Sequence, residues 1–229
     1  MARFPPSHPL IVAGNSVYQK RIRTIPEYLG SLLKPFSDNA KLGNGSSIIR
    51  KGKWKGLNGY YLTLEERATC PTTCHHWEDC YGNNMPFAIR FRPSKEMEIR
   101  LWNELAELNK KHRIGFVIRL HVLGDFYSVE YVDLWRKALQ RFPNMKVFGY
   151  TARRGEDPIS GAIQNVRSEF PSRFKIRQSM QWHTEGSFSA ISVPHDSAIV
   201  CPVQLGKQSS CAKCSLCWEV ERPIQFLTH

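Results

Sequence analysis

Seven cysteines fall into two groups, and none stands outside them. The later group is Cys201, Cys211, Cys214 and Cys217, in the run CPVQLGKQSSCAKCSLCW, a C-x9-C-x2-C-x2-C pattern closed by Trp218. Two successive C-x2-C steps put three sulfurs on one tight loop, and the fourth returns from upstream. Thiolates so spaced suit a single metal ion or one iron–sulfur cluster. The earlier group is Cys70, Cys74 and Cys80, in CPTTCHHWEDCY. Three thiolates leave one iron of a 4Fe–4S cluster open for reaction, whereas four close it. Three plus four therefore reads as one reactive and one sealed centre, with one or two 4Fe–4S clusters as the cofactor. If His75 or His76 supplies a fourth ligand, the earlier group is instead a closed Cys3His zinc site.

An odd number of cysteines fits a disulfide framework poorly. No apolar run approaches the roughly 18 residues that span a membrane, so no membrane partner is expected. The start, MARFPPSHPLIVAG, has too short an apolar stretch and too many prolines for a secretion signal. The expected compartment is the cytoplasm, where clustered thiols bind metal or catalyse more often than they cross-link. Lys and Arg total 32 against 20 Asp and Glu, a formal net charge of +12. That excess points to a polyanionic partner, a nucleic acid. It is concentrated at Lys20, Arg21 and Arg23, at Arg50, Lys51, Lys53 and Lys55, and at Lys110, Lys111 and Arg113. The second of these clusters interleaves with Trp54, Tyr60 and Tyr61, which suit stacking on unpaired bases or the core of a short hairpin around Leu57-Asn58-Gly59.

The elements that must position these residues are clearest in the middle of the chain. Apolar residues at Met97, Leu101, Leu105 and Leu108 predict a helix after Ser94. GFVIRLHVLGDF reads as a buried strand, and Ser128 to Phe142 as an amphipathic helix. KVFGYTAR is a strand, Asp157 to Phe170 a helix with Pro158 at its first position, FKIRQSMQ a strand and SAISVP another. Alternation at this spacing predicts right-handed crossovers and a parallel sheet. The fold class is α/β: a partial barrel or an open, doubly wound parallel sheet with crossover helices, plus a Cys-rich C-terminal metal or cluster loop. One domain is expected over residues 1–229. It comprises an irregular basic part at 1–60 with a short helix near Ile25–Leu33, an α/β core at 61–195 that includes the Cys loop 70–80, and a Cys-rich segment at 196–229.

Ligands of such sheets bind beyond the carboxyl ends of the strands, here His121–Asp125, Tyr150–Arg154 and Gln178–His183. Asp125 suits hydrogen bonds from a substrate amine or ribose, and His121 suits acid–base work. In a purely structural role, Asp125 caps the next helix and His121 is a satisfied buried side chain. Arg153, beside Arg154, offers a guanidinium to a phosphate or carboxylate. His195, just before Cys201, is a further candidate ligand.

The order CPTTC…CYG, RLHVLGDFYSVEYVDLW, FGYTAR and CPVQLGKQSSCAKCSLCW resembles the phage gene-product-88 domain family over roughly residues 60–220. The resemblance rests on Gly124, Asp125, Phe126, Ser128, Tyr131 and Trp135 and on the terminal cysteine block. It implies a phage-type protein in a host cytoplasm. A looser likeness is to radical S-adenosylmethionine enzymes, whose C-x3-C-x2-C cysteines hold an open cluster. Cys70 to Cys74 keeps the first step, Cys74 to Cys80 is three residues longer, and Tyr81 follows the last cysteine instead of preceding it. This likeness implies S-adenosylmethionine at the earlier cluster, with Arg153 as a cofactor contact. Two functions are thus expected. One is an iron–sulfur enzyme of radical type acting on a nucleic acid or nucleotide, with His121 and Asp125 positioning the substrate. The other is a zinc- or cluster-stabilised nucleic-acid-binding protein without catalysis.

Overall fold

The computed structural model describes residues 4–227. Met1 to Arg3, the start of the expected N-terminal part, and Thr228 and His229 lie outside the described residues. The chain opens with a short helix α1 (Pro9–Val12) and the strands β1 (Ile22–Arg23), β2 (Lys34–Pro35), β3 (Asn58–Tyr61) and β4 (Arg90–Phe91). Regular alternation follows: α2 (Lys95–Lys111), β5 (Phe116–Leu120), α3 (Val129–Arg141), β6 (Met145–Thr151), α4 (Pro158–Glu169), β7 (Phe174–Met180) and β8 (Ser189–Ile191). The last part adds β9 (Ile199–Val200), α5 (Cys211–Cys214), α6 (Leu216–Glu219) and β10 (Ile224–Gln225).

The three long helices start where their sequences offer a cap. Ser94 Oγ accepts from the Met97 N–H at 3.1 Å, Ser128 Oγ from the Tyr131 N–H at 3.1 Å, and Asp157 Oδ1 from the Ile159 N–H at 2.9 Å. The chain is a mixed α/β protein. Its main sheet has eight strands in the order β2-β3-β5-β6-β7-β8-β10-β9, and β1 pairs with β4 in a separate parallel sheet. The sheet is mixed because β2 runs antiparallel to β3, while β3, β5, β6, β7 and β8 pair in parallel.

Those five strands follow chain order without a reversal, so right-handed crossovers all return on the same side. Accordingly Met97, Leu101 and Leu105 of α2, Val132, Trp135 and Leu139 of α3, and Ile163 and Val166 of α4 share one core with Phe116, Ile118, Val147 and Ile176. A doubly wound sheet needs a reversal and helices on both faces, so that form of the expectation is corrected. The opposite face, including Val117 and Phe148, is covered by chain outside the long helices: Phe36, Leu42, Ile49, Trp54, Leu57, Ala212 and Trp218. Trp54 stacks on Trp218 with centroids 5.3 Å apart and planes 5° apart. Trp54 is therefore a core residue and is closed to bases, and Tyr60 is bound to His112 Nε2 at 2.7 Å.

Two local expectations fail for related reasons. Residues 25–33 form turns, without a helix. Side chains of α2 satisfy the backbone that a helix would have satisfied: Arg100 donates to the carbonyls of Tyr28, Leu29 and Gly30, and Glu104 accepts from the N–H groups of Leu32 and Leu33. The hairpin expected around Leu57 is displaced, with Ile48 bridging Asn58 antiparallel across the turn. Residues 51–56 turn, and Asn58–Tyr61 joins β5 as its parallel neighbour.

Gly149 in β6 shows how closely the central strands are matched. A Cβ there would lie 1.5 Å from the Leu120 carbonyl oxygen, which also accepts from Arg119 Nη1. Gly149→Ala should therefore lower the urea midpoint and cost about 1–3 kcal/mol or more, as overpacking does. An unchanged midpoint would contradict this packing.

Candidate functional site

The carboxyl ends of β5 and β6 are bound to each other by one carboxylate. Asp125 is buried, and its Oδ1 accepts from Thr151 Oγ1 at 2.7 Å and from the Phe126 N–H at 2.7 Å. Its Oδ2 accepts from the Ala152 N–H at 2.7 Å. Burial pushes the carboxyl up to about 6, against the lowering effect of these donors and of Arg153. Asp125 is thus a strut between strand ends, and Ser128 caps α3 instead. Gly124, at φ +81°, lets the loop press on its neighbours: a Cβ would come within 2.7 Å of Leu64 Cβ and Thr69 Oγ1. Thr69 Oγ1 accepts from the Asp125 N–H at 3.1 Å and donates to the Glu65 carbonyl at 2.8 Å.

Thr69 leads directly into Cys70, so the earlier cysteine loop lies at these strand ends. Arg153 fastens it. Its Nε donates to the Phe126 carbonyl and its Nη2 to the Thr69 carbonyl, both at 2.9 Å, with Nη1 on Asp157 at 3.2 Å. Arg154 Nη2 donates to the Thr73 carbonyl at 3.3 Å. Cys70, Cys74 and Cys80 lie within reach of one another's charge, and Cys70 and Cys74 also feel Asp125. Burial pushes all three thiols up, Cys80 to about 12.

A buried ionic frame behind this loop had no signature in the sequence. Glu66 Oε2 accepts from Arg90 Nε at 2.7 Å, with both side chains shut off from water, and Glu66 Oε1 accepts from Ser16 Oγ at 2.8 Å. Arg90 also donates to the carbonyls of Gly82, Met85 and Ala88. Arg67, at φ +64°, donates to the carbonyls of Trp77 and Asn15 and to Asn83 Oδ1. Adjacent Glu and Arg residues look like surface charge, and only their burial shows their role.

The later group lies against the face opposite the long helices, three of its cysteines on the short helices α5 and α6. Tyr150 Oη donates to Cys217 Sγ at 2.8 Å. Arg177, fully buried, donates to the carbonyls of Cys217, Ser189, Val220 and Arg222. Cys211 feels Cys201, Cys214 and Cys217, and burial pushes it up. Arg119 stands 4.4 Å from the Tyr150 ring centroid and acts on Cys211. Tyr81 links the two regions: it follows Cys80, donates to the Val122 carbonyl at 2.8 Å, and feels both Cys80 and Cys211.

All seven cysteines are free thiols. Among the described residues, no three His, Cys, Asp or Glu side chains converge as a group that could hold a metal ion. His76 pairs with Asp79 at 3.1 Å, and His195 with the ring of His183 at 4.8 Å and with Ser197. His121 is buried, with Nε2 3.0 Å from Tyr131 Oη and Nδ1 without a partner, and burial pushes it down to about 3. A cavity of about 420 Å³ opens beside the end of β3, lined by Leu32, Tyr61, Thr63, Met85, Phe91 and Val122 among others.

The fold and these sites define an α/β protein whose long helices pack on one side of the sheet, with two thiol groups, one at the strand ends and one on the face opposite the long helices. The chain belongs to the Gene product 88 family, whose model matches residues 31–166, more than half of its 229 residues. The match takes in Cys70, Cys74, Cys80 and both strand-end loops and stops before Cys201. No curated protein and no solved structure matches the chain, and the likeness to radical S-adenosylmethionine enzymes gains no support.

The two buried titratable groups of the platform act oppositely on stability. His121 is held below its ordinary 6.5, so its contribution is present above that pH and is lost as pH falls toward 3. Asp125 is held above its ordinary 3.8, so its contribution is present below that pH and is lost as pH rises through 6. Between pH 4 and 6 the two slopes oppose each other. Half-buried His75, also pushed down to about 4, acts in the sense of His121. His121→Phe should therefore make stability gain less, or lose more, with rising pH across that window than in the parent, as measured by urea unfolding at stepped pH. A profile parallel to the parent's would contradict the assignment.

Proposed function

We propose that this chain is an iron–sulfur protein of phage type, built on a partial α/β barrel and acting on a nucleic acid or nucleotide. The supporting observation is the later thiol group. Four soft donors lie within reach of one another's charge, and two cations, Arg119 and Arg177, act on Cys211 and Cys217 respectively. Thiols must lose protons to bind metal, and buried guanidiniums offset the negative charge that results. The donor set therefore fits a sealed cluster held by Cys201, Cys211, Cys214 and Cys217.

Cys70, Cys74 and Cys80 are the ligands proposed for a second, open centre. Such a centre supplies one-electron chemistry, with S-adenosylmethionine as the candidate ligand of its free iron. Arg153 and Arg154 fix the loop that carries these thiols, and Asp125 fixes the floor beneath it. His121 stays neutral at physiological pH, which leaves the unpartnered Nδ1 as its free polar atom. Arg50, Lys51, Lys53 and Lys55 are exposed, and Arg50 is joined to α5 through its N–H to the Ala212 carbonyl at 2.8 Å. That basic loop is the proposed track for nucleic-acid phosphates.

Protein purified without oxygen should carry about eight irons and matching sulfide, with a brown absorbance band shifted by S-adenosylmethionine. Cys214→Ala should lose about four irons, and Cys80→Ala should lose the shift while the fold is retained. Colourless protein containing zinc would replace this reading with a nucleic-acid-binding protein without catalysis.

A further inference from the structure

A half-open cavity of about 490 Å³, lined by no cysteine, lies between the last turns of α4, the start of β7 and the segment before β8. Its size is within the roughly 300–1,000 Å³ of small-molecule sites. Its wall contains Gln164, Arg167, Ser168, Lys175, Gln178 and Phe188. Three cations gather on the ring of Phe188: Arg177 at 3.9 Å from its centroid, Arg167 at 4.8 Å and Lys175 Nζ at 5.5 Å. They differ in what they have left to give. Arg177 is saturated by four backbone carbonyls and contributes only its charge. Lys175 is bound at 2.9 Å to Glu221, the one carboxylate of the cavity wall, whose side chain is 73% exposed. Arg167 is half-buried, and its guanidinium donates no hydrogen bond to a described residue. The side chains of Gln164, Ser168 and Gln178 beside it likewise have no partner among the described residues.

A fixed positive field, a planar guanidinium with unspent donors and neutral amide and hydroxyl groups are what a tetrahedral oxyanion requires. Phe188 is buried under the cations, so it offers no open face for a base, and recognition falls on the anion alone. We propose that this cavity is a phosphomonoester-binding site, with Arg167 as its principal ligand and Lys175, Gln164, Ser168 and Gln178 completing the shell. A terminal phosphate fits a walled cavity better than an internal diester, which needs an exit for the chain on both sides. The phosphate can come from a free nucleotide or from the 5′ end of a strand, and both present the same dianion. The site shares the charge of Arg177 with the later thiol group, but none of its proposed ligands is a thiol or a residue of the basic loop 50–55.

The test is calorimetric titration of the full chain with inorganic phosphate, a 5′-mononucleotide, and a short single strand with and without a 5′-phosphate. Arg167→Gln should weaken phosphate by about tenfold or more, with the melting temperature kept as a check on folding. Glu221→Gln, at an exposed position, should tighten phosphate roughly severalfold by removing the competing carboxylate. Mononucleotide binding without strand binding assigns the site to free nucleotides, and preference for the 5′-phosphorylated strand assigns it to strand ends. Phosphate affinity unchanged in both variants overturns the proposal, as does equal, Arg167-independent binding of the two strands. The latter result would return nucleic-acid binding to the basic loop. If Arg167→Gln does not fold, Glu221→Gln alone decides.

Discussion

A sheet wound in one direction has its helices on one side only, and the other side must be covered by something else. Here β3, β5, β6, β7 and β8 succeed one another without reversal, and α2, α3 and α4 all join one core. The cover for the second face comes from the two ends of the chain. Residues 36–57 and 211–218 meet there, with Trp54 stacked on Trp218 over Phe148. One of these covering segments is the later cysteine block itself. The other long irregular stretch, 62–89, carries the earlier cysteines over the strand ends. Both thiol groups thus lie on chain that covers what the long helices leave open, the later one mostly on the short helices α5 and α6 and the earlier one on an irregular loop.

Irregular chain has no ladder of its own to satisfy its backbone, and this protein supplies partners from buried arginines. Arg90 takes three carbonyls and Glu66, Arg177 takes four carbonyls, and Arg67 takes two carbonyls and an amide. A guanidinium suits this work because its five donors lie in one plane and remain charged when buried. Such a frame is costly to desolvate and unforgiving of partial loss. Removing one partner of a buried pair leaves an uncompensated charge, typically worth about 3–5 kcal/mol. Fixed loops are the gain, and they hold Cys70 and Cys217 where they stand.

The alternating core was legible because its helices and strands are long enough to show a period and carry Ser94, Ser128 and Asp157 as caps. Strands of two residues, such as β2, β9 and β10, are too short for any period, so the antiparallel edge and the C-terminal extension of the sheet were hidden. Trp54 and Tyr60 read equally as a stacking surface or as core, because sequence cannot tell an aromatic facing water from one facing Trp218 or His112, and the core reading holds for Trp54. At the candidate site, the importance of Gly124, Asp125 and Arg153 was legible from their place at strand ends. Their use was not: Asp125 and Arg153 spend their hydrogen bonds on Thr151, Ala152, Phe126 and Thr69. Nothing in the spacing of Glu65 and Glu66 marks them as the partners of Arg92 and Arg90, which lie 27 and 24 positions away.

Arg177 also sets an order of events during synthesis. Its acceptors on Cys217, Val220 and Arg222 are made some 40 or more residues after it, at separations of 40, 43 and 45 positions. Until they emerge, a nascent chain has the helix-packed side of the sheet available but carries an uncapped guanidinium and, on the other side, Val117 and Phe148 covered by residues 36–57 without Trp218. Closure of that side is a late, long-range step, and such steps are slow and expose apolar surface while they wait. The thiols of α5 and α6 therefore join the rest of the fold last, after the scaffold they lie against.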